Sequence, residues 1–202
     1  MKSKRYARVA AALLILGCSA SVPAMAGGMH FRIDATTRLI ADDEGRLQAL
    51  EMHWGYDQAM TDLLLNEEDL STPEKRDAAM EVLGQDIMSD LFDLGYFTTL
   101  QANEEPQVFM TSQDYKASLS ADNRIQLDFT IPLQQPRDPR DTTLDLMLAD
   151  SSAGIALVYA GPDSITLAGK LAERCSSPSI ASSVETLNEH EVELQVVTTE
   201  CK

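Results

Sequence analysis

The sequence predicts an α+β fold, an antiparallel β-sheet or sandwich with a two-helix insertion after the first hairpin. Three observations predict it. Segments of strict apolar–polar alternation recur along the chain, as in "RIQLDFTIPL", and alternation marks a half-buried strand. Turn-forming clusters such as "ADDEG" and "ADN" separate them. The helical patterns are gathered into one stretch between residues 56 and 95; in a parallel α/β fold they would alternate with the strands.

"HFRIDATTRLIADDEGRLQALEMHWGYD" reads as a hairpin turning at "ADDEG", where Gly45 supplies a permissive backbone. Phe31, Ile33 and Ala35 form one face of its first arm; Leu50, Met52, Trp54 and Tyr56 form one face of the second. These apolar sets must share a side, which fixes the parity of the register. Pairing Ala41 with Arg46 puts Ile33 opposite Trp54 and Phe31 opposite Tyr56. "YDQAMTDLLLNEEDL" reads as a short helix and "STPEKRDAAMEVLGQDIMSDLFDLG" as a longer one. Thr72 caps the longer helix, Pro73 suits its first turn and Gly95 ends it. Met80, Leu83, Ile87, Leu91 and Leu94 recur at helical spacing and are expected to face the sheet. "YFTTLQA", "QVFMTSQ", both arms of "YKASLSADNRIQLDFTIPL", "TTLDLMLAD", "GIALVYA", "DSITLAG" and "HEVELQVVTT" read as strands. "QQPRDPRD" and "SSPSIASS" read as loops.

Residues 1–26 read as a signal peptide. Lys2, Lys4, Arg5 and Arg8 precede a short apolar core, and Ala24 and Ala26 frame a small-x-small cleavage site. "ILGC" at Cys18 offers a competing lipoprotein reading, which Leu16 suits poorly. The expected mature chain is a single periplasmic domain, residues 27–202, with no transmembrane run. It keeps twelve of the sixteen Lys and Arg and all 32 Asp and Glu, a net charge of −20. Such a surface repels nucleic acid and anionic lipid. Cys175 and Cys201 remain as an even pair in an oxidising compartment, where a disulfide is expected.

Motifs for catalysis are missing: there is no Gly-x-Ser-x-Gly elbow, P-loop, dinucleotide fingerprint or Cys-x-x-Cys. "HEVEL" at His190 lacks the second histidine of a zinc-protease motif. We therefore expect no enzyme and no organic cofactor. The polar face of the hairpin holds His30, Arg32 and Asp34 on one arm and Glu51, His53 and Asp57 on the other. In the register above, Asp34 lies across from His53 and His30 across from Asp57. His30, Asp34, His53 and Asp57 would then offer two imidazoles and two carboxylates to zinc, nickel or cobalt. A start at Gly28 would also leave Gly28-Met29-His30, an amine–amide–imidazole site for Cu(II) or Ni(II).

"HFRID", "LIADDEGRLQALEMHWGYDQAMTDLLL", "LFDLGYFTTLQ", "DFTIPLQQPRDPR" and the late "LAD…IAL" resemble, in order and spacing, a periplasmic family of unknown function. It is described as "ABC-type uncharacterized transport system, periplasmic component" and includes ZevA-like partners of nickel, cobalt and zinc permeases. The resemblance implies an exported accessory protein of such a permease, binding or handing over the metal near its N-terminus. A periplasmic interaction module without metal is the alternative. His30, Phe31, Asp34, Trp54 and Asp57 match the family pattern, whereas Gly28 and Met29 stand where its N-terminal His-Pro-His begins. "NEEDLSTPEK" lacks the acidic calcium loop of some members, and "DSSAG" keeps Asp150 but not the aromatics that follow it there.

Overall fold

The computed structural model describes residues 31–187 and 189–202. The expected signal peptide and cleavage site, Cys18 and His30 lie outside them.

Strands β1 (Phe31–Ala41) and β2 (Leu47–Tyr56) form the expected hairpin. Ile33, Ala35 and Leu39 on β1, and Leu50, Met52, Trp54 and Tyr56 on β2, are buried, so the face assignment holds. The register differs. Ile33 pairs with Tyr56, Ala35 with Trp54 and Thr36 with His53, two residues from the pairing expected. The turn accounts for one residue: Asp42 donates its N–H to Arg46 O at 2.9 Å, which closes a three-residue loop with Gly45 at φ +83°. A β-bulge beside Gln48 accounts for the second. Each alone would place the apolar sets on opposite faces, and together they restore the parity.

The helical insertion follows as α1 (Gln58–Leu64) and α2 (Pro73–Asp93). The Thr72 hydroxyl caps α2, accepting from Lys75 N at 3.3 Å. Met80, Leu91 and the unanticipated Gly84 and Met88 are buried. Leu94 is 55% exposed, because the helix has ended and the chain turns away at Gly95. Tyr96 and Phe97 continue that turn with φ of 57° and 49°. Tyr96 is held there by burial and by its hydroxyl, which donates to Met110 O at 3.3 Å and accepts from Ser112 N at 2.8 Å.

The remaining strands are β3 (Thr98–Ala102), β4 (Glu105–Pro106), β5 (Tyr115–Leu119), β6 (Ile125–Arg137), β7 (Thr142–Leu148), β8 (Ile155–Tyr159), β9 (Ile165–Leu167), β10 (Ser179–Leu187) and β11 (His190–Cys201), with a short α3 (Lys170–Arg174) before β10. They build a sandwich. One sheet runs β5-β6-β2-β1-β8, with β9 also on β1; the other runs β10-β11-β7-β3-β4. Only β8 and β9 pair in parallel, both with β1. This is the α+β architecture expected from the sequence. Three local expectations change. "QVFMTSQ" is not a strand: it crosses between the sheets, touching β6 by one bridge, Phe109 to Leu133. "SSPSIASS" contributes the start of β10, and "QQPR" continues β6.

One buried core joins both sheets and α2. Trp54 is wholly buried and meets Phe129 edge to face at 4.9 Å. The disulfide Cys175–Cys201 ties the end of α3 to the end of β11. No helix among the described residues is long and apolar enough to cross a membrane.

Candidate functional site

Alternation along β1, β2, β5 and β6 turns one set of side chains into the core and the other onto the outer face of the six-stranded sheet. The register then builds polar rows across that face. Lys116, Asp128, His53 and Thr36 form one row; Thr130, Glu51, Arg38 and Thr166 form the next. The rows floor two depressions of about 510 and 240 Å³, and both contain Thr36, His53 and Ser164.

His53 is the centre of this face. Its Nδ1 is in short hydrogen-bond contact with an Asp128 carboxylate oxygen, and the two side chains are 41% and 54% exposed. A carboxylate on Nδ1 holds the imidazole in one tautomer and leaves Nε2 as a lone-pair donor, the arrangement that orients metal-ligating histidines. Asp128 lies on the polar side of "RIQLDFTIPL", and that alternation was its signal. Its pairing with His53 needed the β2–β6 register, which no local pattern carries.

Of the four expected metal ligands, His30 lies outside the described residues, and Asp34, His53 and Asp57 do not come together. Asp34 lies across from Gly55, not His53, and the Arg32 guanidinium holds its carboxylate at 2.7–2.8 Å. Asp57 leaves the sheet to cap α1. One of its oxygens accepts from Met60 N and the other from Arg32 N, both at 2.7 Å. Arg32 is four strand positions from Thr36, the partner of His53, or about 13 Å. A zinc or nickel ion with ligand distances near 2 Å cannot span that gap. Among the described residues no three His, Cys, Asp or Glu side chains cluster as a metal site. His53 therefore fits as a single oriented donor, and the described residues do not complete a coordination sphere around it.

Asp150 has a structural role. It is buried, and its carboxylate accepts from the backbone of Ser152, Gly154 and Ile155 at 2.9–3.0 Å and from the Ser152 hydroxyl at 2.7 Å. Gly154 O in turn accepts from Phe31 N at 3.1 Å. Asp150 thus shapes the loop that receives the first described residue of β1. On the surface, the Arg140 guanidinium bonded to Asp138 holds that carboxyl down to about 2.

These features define an α+β sandwich with an internal disulfide and an open, polar sheet face organised around one histidine. The disulfide suits an oxidising compartment outside the cytosol. The chain belongs to the family described as protein of unknown function, DUF1007, whose model matches residues 12–198. No curated protein matches it.

Proposed function

We propose that the protein is a periplasmic accessory protein of a transition-metal permease system, exported by residues 1–26, that binds or hands over zinc, nickel or cobalt and catalyses no reaction. The observation that carries this reading is the His53–Asp128 pair on the open sheet face. His53 presents one oriented imidazole nitrogen to a depression, which suits transient transfer better than storage. His30, the histidine shared with the resembled family, offers a separate donor at the expected start of the mature chain. With a free amine at Gly28 it would favour Cu(II) or Ni(II).

Calorimetric titration of metal-free protein with Zn(II), Ni(II) and Cu(II) tests it, with intact mass fixing the N-terminus. His30→Ala should weaken binding at least tenfold, about 1.4 kcal/mol. His53→Ala and Asp128→Asn should each slow metal transfer to a chromophoric chelator. His190→Ala, on β11 of the other sheet, should do little. If the wild type binds none of these metals below about 100 μM, roughly −5.5 kcal/mol, the reading fails. The second reading, an interaction module without metal, is favoured by one observation: Asp34 and Asp57 are already engaged by Arg32 and by backbone N–H groups.

A further inference from the structure

A strand at the edge of a sheet leaves alternate N–H and C=O groups without partners, and folded proteins normally blunt such edges. Of the four sheet edges among the described residues, three are blunted, and the part of the β8 edge formed by β9 is only three residues long. β4 is two residues long and ends in Pro106. β5 is flanked by α2, so closely that a Cβ on Gly84 would stand 3.1 Å from Ala117 Cβ. On β8 the Gln195 side-chain amide occupies both backbone groups of Tyr159, accepting from its N–H at 2.7 Å and donating to its C=O at 3.2 Å.

The fourth edge, β10, has none of these devices among the described residues. It pairs with β11 through nine consecutive residues, Ser179 to Leu187, with no bulge. It contains no proline and no lysine. Its Val184 is 69% exposed. β11 pairs with β7 only from Val196 onward, so the hairpin from Ser182 to Leu187 and from His190 to Gln195 stands as a two-stranded ribbon with no third strand among the described residues. The charge of that ribbon is one-sided. Glu185, Glu189, Glu191 and Glu193 are exposed, and no Lys or Arg occurs between residues 175 and 201. Because Glu185 pairs with Val192 while Glu191 and Glu193 pair with Thr186 and Val184, carboxylates stand on both faces of the ribbon.

We propose that the β10 edge is a docking site for an extended, cationic segment of a partner protein, which adds to the sheet as a further strand. Backbone hydrogen bonds along Ser179–Leu187 would supply the pairing, and lysine or arginine side chains on the added strand would reach the glutamates on either face. A second copy of this chain fits worse, since two such ribbons side by side bring like charges together.

The test uses the protein as the cell processes it, with its disulfide intact, and a nine-residue peptide alternating valine with lysine and threonine. Backbone amide shifts are followed by NMR during titration. Perturbations centred on residues 179–187 are expected, with affinity falling as salt rises. The same peptide N-methylated at alternate residues on its pairing edge should lose binding at least tenfold, as should a version with glutamate for lysine. Val184→Lys, which adds a charge at an exposed position without touching the core, should weaken the cationic peptide at least tenfold. Glu191→Lys with Glu193→Lys should do the same. Equal binding by the N-methylated peptide would reduce the contact to charge attraction and overturn strand addition. Shifts confined to other strands, equal binding by the acidic peptide, or dimers that vanish in Val184→Lys would also overturn the proposal.

Discussion

Replacing Trp54 by alanine should be among the most destabilising single changes in this protein. Trp54 is completely buried, two residues from the end of β2, and the only tryptophan in the chain. Burial of a side chain that size removes about 150–250 Å² from water, about 4–6 kcal/mol at 25 cal/mol per Å² as an upper bound. Large-to-small core changes of this kind cost about 3–5 kcal/mol, and the edge-to-face contact with Phe129 falls within that loss. Trp54→Phe separates the contributions. The indole Nε1–H is buried with no hydrogen-bond acceptor among the described residues, and an unsatisfied buried donor costs about 1–3 kcal/mol. Phenylalanine removes that penalty while keeping most of the apolar contact, so it should cost less than half as much as alanine. Urea unfolding followed by circular dichroism measures both, since the variants lack the fluorescent indole. A double-mutant cycle with Phe129→Leu should return a coupling of about 0.5–1.5 kcal/mol. An alanine cost below about 1 kcal/mol would refute the burial of this face, and the outward placement of His53 would fall with it.

Asp57→Ala should cost about 1–3 kcal/mol, because it removes the α1 cap and an acceptor for Arg32 N together, and should leave metal affinity unchanged by calorimetry. Alkylation of unreduced protein should find no free thiol, and Cys175→Ser with Cys201→Ser should lower stability by roughly 3–4 kcal/mol for a 26-residue separation; two reactive thiols per chain in the wild type would contradict this. Burial raises the phenol pKa of Tyr56 and of Tyr159 above the ordinary value of 10.0, the latter partly offset by its bond with the Thr37 hydroxyl. A raised folded pKa gives stability that is full below pH 10 and lost as pH rises toward the folded values. Denaturant midpoints should therefore fall above pH 10, and less so in Tyr56→Phe and Tyr159→Phe.

Much of the architecture was legible because it follows from period alone. The burial of Ile33, Leu50, Met52, Trp54 and Tyr56 is set by alternation, and the start of α2 by Thr72 and Pro73. What was not legible depends on pairing between distant segments. "SSPSIASS" is polar and contains a proline, so it carries no strand signal; it becomes a strand because Ser179–Ser183 find partners on β11. Asp128 reads as one polar residue among several until β6 is laid against β2.

The first hairpin shows how near the missed information was. Leu47 and Ala49 fall on odd positions and are buried, whereas Leu50, Met52, Trp54 and Tyr56 fall on even positions and are buried too. A strand whose apolar parity changes between two adjacent residues must contain a bulge, since no regular ladder can bury both sets on one side. That change of phase is written in "LQALEMHWGY", and together with the three-residue turn it moves Asp34 from His53 to Gly55. The consequence for chemistry is large. In the expected pairing two histidines and two aspartates would share one small area and make a self-sufficient metal site. In the observed pairing Asp57 is at the end of the sheet in a helix cap, Asp34 is bound to Arg32, and His53 is supported from the other neighbour, β6. Any metal chemistry on this face therefore depends on the β2–β6 pairing, so Asp128, and neither Asp34 nor Asp57, is the carboxylate whose loss should alter what His53 does.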